Sequence, residues 1–341
     1  MSSGAAPKSL KPVRIWLWIV TLLVFCMVLL GGATRLTDSG LSITEWQPLV
    51  GALPPISESD WLAAFEKYKQ IPEFTALNQG ISLSGFKYIF WWEWSHRFLG
   101  RFIGAAFLLP FLIFLFQRRI PKKLFWTLSI VFLFGVTQGV LGWYMVQSGL
   151  VDRVDVSQYR LSAHLTLAAL LFATIVWAAL GLECVRHWQP QRGAVGALIV
   201  VVLIILQIAA GAFVAGLDAG MGYNTWPKMD GQWIPSGLMI IEPAWRNLFE
   251  NAMTVQFDHR LIAYLITLVV FIHAWRTFSV SAMILAYLIL VQIGLGIFAV
   301  LLRVPISLGL THQGGALIVL AVAVWHLHRN SLVKPTQQLQ A

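Results

Sequence analysis

The sequence predicts an all-α integral membrane protein with eight transmembrane helices, arranged as two tandem four-helix bundles. Of its 341 residues, 58% are hydrophobic and only 11% are charged, a composition unlike that of a soluble domain. Apolar stretches close to the roughly twenty residues that cross a bilayer recur eight times. They lie at 14–33, 98–117, 124–146, 162–182, 195–215, 257–277, 281–301 and 308–327, with long outer loops expected at 34–95 and 216–256.

The distribution of charge predicts the orientation of these helices. The first stretch has no small-x-small cleavage site, so it is interpreted as an uncleaved anchor. Lys and Arg dominate the segments on one side, where Glu183 is the single acid, so the positive-inside rule places residues 1–13 and 328–341 in the cytoplasm. The net charge of +9 therefore reflects topology and indicates no nucleic-acid partner. Cys26 and Cys184 lie at different predicted depths, which excludes a disulfide between them.

The predicted halves, 14–182 and 195–327, resemble each other. The segment "GGATRLTDSGLSITEW" follows the first helix, and "GAFVAGLDAGMGYNTW" follows the fifth. Similarly, "EWSHRFLGRF" in the second helix matches "QFDHRLIAYL" in the sixth, and "LSAHLTLAALLF" in the fourth matches "LTHQGGALIVLA" in the eighth. A repeat of this kind predicts an internal duplication in which each half forms a four-helix bundle.

Four histidines occupy equivalent positions: His96, His164, His259 and His312. Each is predicted in the first turns of an even-numbered helix, near the outer face. In each half, two imidazoles then project from different helices at similar depth, an arrangement that can clamp a heme between two axial ligands. A lone histidine at a helix mouth is more often an interfacial residue, but four in register favour ligation. Zinc is disfavoured because no Cys or carboxylate recurs with both pairs.

Two further patterns near these histidines have open interpretations. Arg97 and Arg260 each follow a site histidine, and each is either a heme propionate partner or an interfacial side chain whose charged end extends to the membrane surface.

A second histidine pair, His273 and His326, lies fourteen residues after His259 and His312. That spacing is about 21 Å along a helix and close to the same face, as in proteins that stack two hemes. The first half has Pro110 and Ala178 at the corresponding positions, which favours interfacial side chains over a second heme.

One position distinguishes the two halves. Glu93 stands three residues before His96, whereas Gln256 stands three residues before His259, and this spacing places each side chain on the ligand's helix face. A carboxylate can transfer protons or stabilise a developing cation, and an amide cannot transfer protons at ordinary pH. The difference predicts a reactive first half and a fixed redox cofactor in the second, unless Glu93 simply pairs with Arg97. A Glu93→Gln change is expected to leave the fold intact.

The chain resembles the heme A synthase family of the alphaproteobacterial and mitochondrial type. The resemblance runs from "GGATRLTDSGLSITEW" through "EWSHR", "GLDAGMGYNTWPKMDG" and "FDHR" to "THQGGA". It implies an oxidoreductase that converts the C8 methyl group of heme O to a formyl group, by two hydroxylations and loss of water. It also implies that His259 and His312 ligate a heme b cofactor, that His96 and His164 receive heme O, and that Glu93 is needed for reaction. The cysteine pair of the Gram-positive branch is absent from the first outer loop.

The main alternative is a transmembrane electron carrier of cytochrome b type that modifies no heme, and a transporter without heme is a third hypothesis. The Glu93/Gln256 difference favours the enzyme. The expected partners are heme O, an electron donor and the lipid bilayer, while contact with a heme O synthase and self-association are left open. The expected location is the bacterial inner membrane, with the heme sites near the periplasmic side.

Overall fold

The fold is entirely helical within the part of the chain that the computed structural model describes, which is residues 9–47, 50–151, 153–182 and 193–331. Eight of its helices are long and apolar enough to cross a membrane. The predicted all-α fold with eight membrane-spanning helices is therefore confirmed, and the chain is a multi-pass membrane protein. Cys184, Glu183 and the tail from 332 onward lie outside the described residues.

The eight spanning helices alternate with short connections and two long loops. Three short helices lie within the loops: α2 (Glu58–Tyr68), α3 (Pro72–Leu77) and α8 (Asn247–Glu250). Seven of the eight predicted spans agree with the structure to within five residues at each end. The spanning helices are α1 (Lys11–Leu36), α4 (Leu83–Phe116), α5 (Lys122–Gln147), α6 (Gln158–Gly181), α7 (Ala194–Gly216), α9 (Ala252–Thr277), α10 (Val280–Leu301) and α11 (Ile306–Asn330).

The exception is α4, which was predicted to begin near 98 and begins at Leu83. The Ser82 side chain caps it by accepting a hydrogen bond from the Gly85 amide at 3.2 Å. The prediction was wrong because charged residues in this first part lower the local hydropathy that marks a span. His96 consequently lies more than three turns inside α4, not in its first turns, whereas His164, His259 and His312 lie in the second turns of their helices.

The first part of α4 is helical because the first long loop packs on it. Ser57 and Asp60 form a reciprocal capping box that starts α2. Aromatic rings of α2 then pack against α4, with a stacked Phe65–Phe86 pair at 5.0 Å and an edge-on Trp61–Phe90 pair at 4.9 Å between ring centroids. This aromatic cluster, the loop core, fixes the loop over the end of the helix bundle that we call the loop end.

The two long loops leave the helices in the same way. Both α1 and α7 are followed by an aspartate in the left-handed conformation, Asp38 with φ 47° and Asp218 with φ 48°. The next amide in each case bonds back to the last helical turn, from Ser39 to Thr34 at 2.9 Å and from Ala219 to Val214 at 3.0 Å. Arg35 of the first half binds both carboxylate oxygens of Asp218 at 2.8 Å, which joins the C-terminal ends of α1 and α7.

Four helices, α1, α6, α7 and α11, form the centre of the molecule and pack against one another. The apolar windows of α1 and α6 are 39% and 44% buried, against 11% and 17% for α4 and α5. Outer helices α9 and α10 pack against each other, whereas α4 and α5 are barely in contact. The aromatic contacts between α4 and α5, Phe107 with Phe132 and Phe111 with Phe125, lie away from the loop end. Near the loop end, α4 and α5 therefore have few direct contacts, and Trp46 of the first long loop packs on Trp143 of α5, with 6.4 Å between ring centroids.

Candidate functional site

The structure brings the four predicted histidines together in two pairs at the loop end. The first-half site contains His96 of α4 and His164 of α6. The second-half site contains His259 of α9 and His312 of α11, with ring centroids 6.5 Å apart. Each site thus takes one imidazole from an outer helix and one from a central helix.

A glycine of a neighbouring helix faces each of these four rings. In every case, a Cβ atom added to the glycine would lie closer to the imidazole than an ordinary van der Waals contact. A larger residue at that position would therefore force the ring to shift. The pairs, with the distance from that Cβ position to the nearest ring atom, are Gly31 with His96 (3.0 Å), Gly142 with His164 (3.2 Å), Gly211 with His259 (3.1 Å) and Gly296 with His312 (2.9 Å).

The second-half site has the dimensions of a bis-histidine heme site. Two imidazoles on one metal ion have ring centres about 6 Å apart, from two bonds of about 2 Å and about 1 Å within each ring, and the observed spacing is 6.5 Å. His259 Nδ1 is buried without a hydrogen-bond partner, as is His164 Nδ1 in the first-half site. Among the described residues no group of three His, Cys, Asp or Glu side chains could hold a bare metal ion. The residues present fit a heme.

The second histidine pair does not fit a heme and is buried between helices. His273 and His326 are buried, with exposed fractions of 8% and 0%. Their Nε2 atoms are only 2.8 Å apart, a direct hydrogen bond, and their ring centres are 5.0 Å apart. The Ser281 hydroxyl lies 2.8 Å from His326 Nδ1 and Asn330 bonds to the His326 carbonyl at 2.8 Å, which closes the network. An iron ion between the rings would need about 4 Å between the two nitrogens.

Glu93 is buried beside the first-half site and accepts four hydrogen bonds. Its Oε2 accepts from the Ser42 hydroxyl at 2.8 Å and the Ile43 amide at 2.7 Å. Its Oε1 accepts from Arg97 Nη2 at 2.6 Å and Nε at 3.0 Å. The side chain is 3% exposed. The pairing with Arg97 is thus present, and every contact is one that a carboxylate anion makes as acceptor.

Gln256 occupies the matching place in the second half with the opposite polarity. Its Nε2 donates to the carbonyl oxygens of Ala219 at 2.7 Å and Gly222 at 3.0 Å, and its Oε1 accepts from Arg260 at 2.8 Å. The first loop therefore presents donors to an acid, and the second presents acceptors to an amide. A glutamine at position 93 would set an N–H group against a donor in either amide orientation, and the expectation that Glu93→Gln leaves the fold intact stays a prediction.

Arg97 and Arg260 hold the loops onto the helices. Arg97 donates to the carbonyl oxygens of Glu45 at 2.9 Å and Ile43 at 2.7 Å. Arg260 donates in the same manner to Thr225 at 2.9 Å and Tyr223 at 3.0 Å. Contact of either arginine with a heme propionate stays a prediction.

Comparisons with known proteins identify the family to which the chain belongs. A family model described as cytochrome oxidase assembly protein, COX15-CtaA, matches residues 14–324. The chain belongs to this family. The family resemblance drawn from the sequence motifs is thereby confirmed.

Several relatives of this COX15-CtaA protein are named heme A synthase. One from Parvibaculum lavamentivorans is 52% identical over 319 residues, which cover 92% of this chain and 93% of the relative. One from Mesorhizobium japonicum is 51% identical over 325 residues, covering 92% and 89%. One from Nitrosospira multiformis is 48% identical over 331 residues, covering 93% of each. The similarity therefore extends over nearly all of each protein.

Sequence reasoning missed one buried acid of this COX15-CtaA chain. Glu73 of α3 is 4% exposed beneath the first long loop. Its Oε1 accepts from the Tyr68 hydroxyl at 3.0 Å and from Asn78 at 3.3 Å. Burial raises the pKa of Glu73 to about 7, the Tyr68 hydrogen bond opposes this, and the charge of Glu93 adds to it. In the sequence, Glu73 stands in an ordinary polar loop segment, and no spacing marks it.

Changing Gln256 to Glu is expected to destabilise the second half. The new carboxylate would face the Ala219 and Gly222 carbonyl oxygens and leave both without a donor, a loss of about 1–3 kcal/mol. Thermal unfolding of the purified protein in detergent measures this change. Gln79→Glu, which adds the same charge at an exposed loop position, is the control. Equal unfolding temperatures for the two variants would contradict the polarity assigned to this contact.

Changing Glu73 to Gln is expected to stabilise the protein more at high pH than at low pH. The folded-state pKa lies above the ordinary value of 4.5, so neutral Glu73 contributes stability that is complete below that pH and is lost as pH rises to about 7. Glutamine keeps an acceptor for Tyr68 and cannot ionise. The difference in unfolding temperature between variant and wild type should grow from about pH 5 to about pH 8, and a constant difference would contradict it.

Proposed function

We propose that this protein is a heme A synthase, an oxidoreductase that converts the C8 methyl group of heme O to a formyl group, with heme b as its cofactor. The observation that carries the proposal is the contrast between two matched histidine sites. One has Glu93 held by donors, and the other has Gln256 held by acceptors. An electron carrier with two equivalent hemes gives no reason for that contrast. The relatives named heme A synthase also favour the enzyme over this alternative.

The first half, residues 14–182, is proposed to receive the substrate. Heme O enters a site that opens toward the lipid between α4 and α5, helices that are barely in contact. On α5, Gly135 and Gly139 have no other atom within 4 Å of an added Cβ. The equivalent positions in the second half are Ile289, which is 5% exposed, and Ile293. His96 and His164 would hold the substrate iron in this roomier half.

The second half, residues 195–327, is proposed to hold heme b between His259 and His312. Helices α9 and α10 pack together, so this site is closed on the side where the first is open. The iron of the bound heme supplies redox chemistry that no side chain provides. The residues of this half would keep that group in place: His259 and His312 would ligate its iron, and Arg260 would hold the second loop over the site.

Glu93 is proposed to act as a fixed negative charge beside the substrate. Both of its oxygens are engaged by donors, from Ser42, Ile43 and Arg97. A preorganised anion stabilises positive charge that develops as the methyl group is oxidised, without cost of reorientation. This role is favoured over proton transfer, because a proton on either oxygen would displace a donor already in place. Arg97 keeps the carboxylate oriented, and its remaining N–H donor is proposed to bind a heme propionate.

The proposed setting is the bacterial inner membrane, with both termini in the cytoplasm and the loop end toward the periplasm. The basic residues near the helix ends opposite the long loops support this orientation through the positive-inside rule. A heme O synthase is the proposed source of substrate, and a separate electron donor is required. The heme sites then lie near the periplasmic surface.

The direct test is extraction of heme from cells that express the protein with a source of heme O. Wild type should yield heme A, and Glu93→Gln should yield bound heme O with at least about a hundredfold less heme A, as expected when a preorganised charge is removed. Ser42→Ala removes one donor and keeps the carboxylate, so it controls for loosening of the loop and should retain most of the output. If heme b were the sole pigment extracted from wild type, the enzyme hypothesis would be wrong.

A further inference from the structure

Three of the four site histidines are held by a glutamine of a neighbouring helix. The glutamine Nε2 donates to the backbone carbonyl oxygen of the histidine, which has a lone pair left beside its helical hydrogen bond. We call this contact the glutamine brace. The three braces are Gln138 to His164 at 3.0 Å, Gln207 to His259 at 2.9 Å, and Gln292 to His312 at 2.8 Å.

The braces follow a fixed register. Each glutamine stands four residues before the glycine that faces the same imidazole, as in Gln207-x-x-x-Gly211, so the two lie on one helix face. The glycine lets the imidazole ring approach the helix. The glutamine amide, one turn away, bonds to the backbone carbonyl oxygen of the same histidine. Gln207 Nε2 also lies 3.2 Å from His259 Nε2, and Gln292 Nε2 lies 3.2 Å from His312 Nδ1.

The glutamines have no other partner that explains them. The Oε1 atoms of Gln138, Gln207 and Gln292 are all buried without a hydrogen-bond partner. Leaving a buried amide oxygen unpaired costs about 1–3 kcal/mol, so a purely structural use of these three residues is unfavourable. The contacts that these amides do make are all directed at the site histidines, through Nε2.

His96 is the exception to this pattern. It faces Gly31, and the residue four positions earlier on α1 is Met27. The Met27 methyl group lies against Gly100, 3.3 Å from the position of an added Cβ there and one turn beyond His96. Across the described residues, no side-chain hydrogen bond reaches the His96 carbonyl or ring. A thioether donates no hydrogen bond and accepts only weakly.

The packing of α4 weakens the hold on His96 further. The helix is the least buried of the eight spanning helices, with 11% of its apolar window buried, and it has little contact with α5 beside the site. The other outer ligand, His259, lies on α9, which packs on α10 and carries a brace. Hydrogen bonds from surrounding residues that orient a ligating histidine strengthen metal binding by roughly ten to a hundredfold. His96 therefore has no brace, and its helix packs on α1 but has little contact with α5.

We propose that His96 is the exchangeable axial ligand of the first-half site, and that Met27 in place of a glutamine makes it exchangeable. This inference rests on the proposed function, since it assigns the substrate heme to that site. His96 swings away to open one face of the substrate iron, while His164, held by Gln138, stays bound. The two braced ligands of the second half keep heme b closed to external ligands. No bond other than the iron–nitrogen bond of His96 changes in this step.

The test is the binding of carbon monoxide to the reduced, full-length protein. Carbon monoxide binds ferrous heme only where an axial position opens, so stopped-flow absorbance after mixing reports ligand exchange and needs no turnover. The protein is purified, loaded with added iron protoporphyrin IX and reduced with dithionite. In wild type, the first-half heme should bind carbon monoxide and the second-half heme should not.

Exchanging the residue types at the brace position between Met27 and Gln207 should exchange the carbon monoxide binding of the two halves. Met27→Gln should slow binding to the first-half heme by about tenfold, the effect of one added hydrogen bond. Met27→Leu keeps the volume without an amide and should leave the rate within about twofold. Gln207→Met should open the second-half heme to carbon monoxide, whereas Leu206→Met, at a 52% exposed neighbour, should not.

Two results would overturn the proposal. The first is equal carbon monoxide kinetics in Met27→Gln and Met27→Leu, and the second is a second-half heme that stays closed in Gln207→Met. The Gln207→Met experiment needs only the heme of the second half, so it tests the effect of the brace even if Met27→Gln fails to fold. Heme A output is scored separately. Normal output with kinetics insensitive to the exchange rejects the ligand assignment alone, and the expected kinetics without heme A reject the proposed function alone.

Discussion

The buried carboxylate of Glu93, with the four donors around it, is the interaction on which the difference between the two halves depends. Removal of a carboxylate from water is costly unless its charge is paired and its oxygens are bonded. Here Arg97, Ser42 and the Ile43 amide provide both. The loop that supplies two of these donors presents N–H and O–H groups to the acid, whereas the loop around Gln256 presents carbonyl oxygens to the amide.

Around that difference the rest of the molecule is nearly repeated. Four glycines let four imidazoles approach, and two arginines hold two loops onto their helices. Departures from the repeat concentrate in the first half: an acid for an amide, Met27 for a glutamine, and few contacts between α4 and α5. Under the proposed function, these departures would give the first site charge, ligand freedom and access, and the second site would keep what a permanently bound cofactor requires.

Most of this architecture could be predicted from the sequence, because hydropathy marks spans directly and the repeat marks matching histidines. Three features could not. The start of α4 at Leu83 depends on aromatic packing in the loop core, which hydropathy does not report. The His273–His326 hydrogen bond depends on a rotation and an approach of two helices that a fourteen-residue spacing leaves undetermined. The burial of Glu73 arises from loop tertiary structure alone.

The central claim is that two similar histidine sites have different tasks, with the resident heme in the second. Its most direct test is the heme content of protein purified from cells that make heme b and no heme O. The account predicts that His259→Ala abolishes most of the bound heme b, whereas His96→Ala retains it with an unchanged low-spin spectrum. Loss of the resident heme in His96→Ala, with retention in His259→Ala, would contradict it.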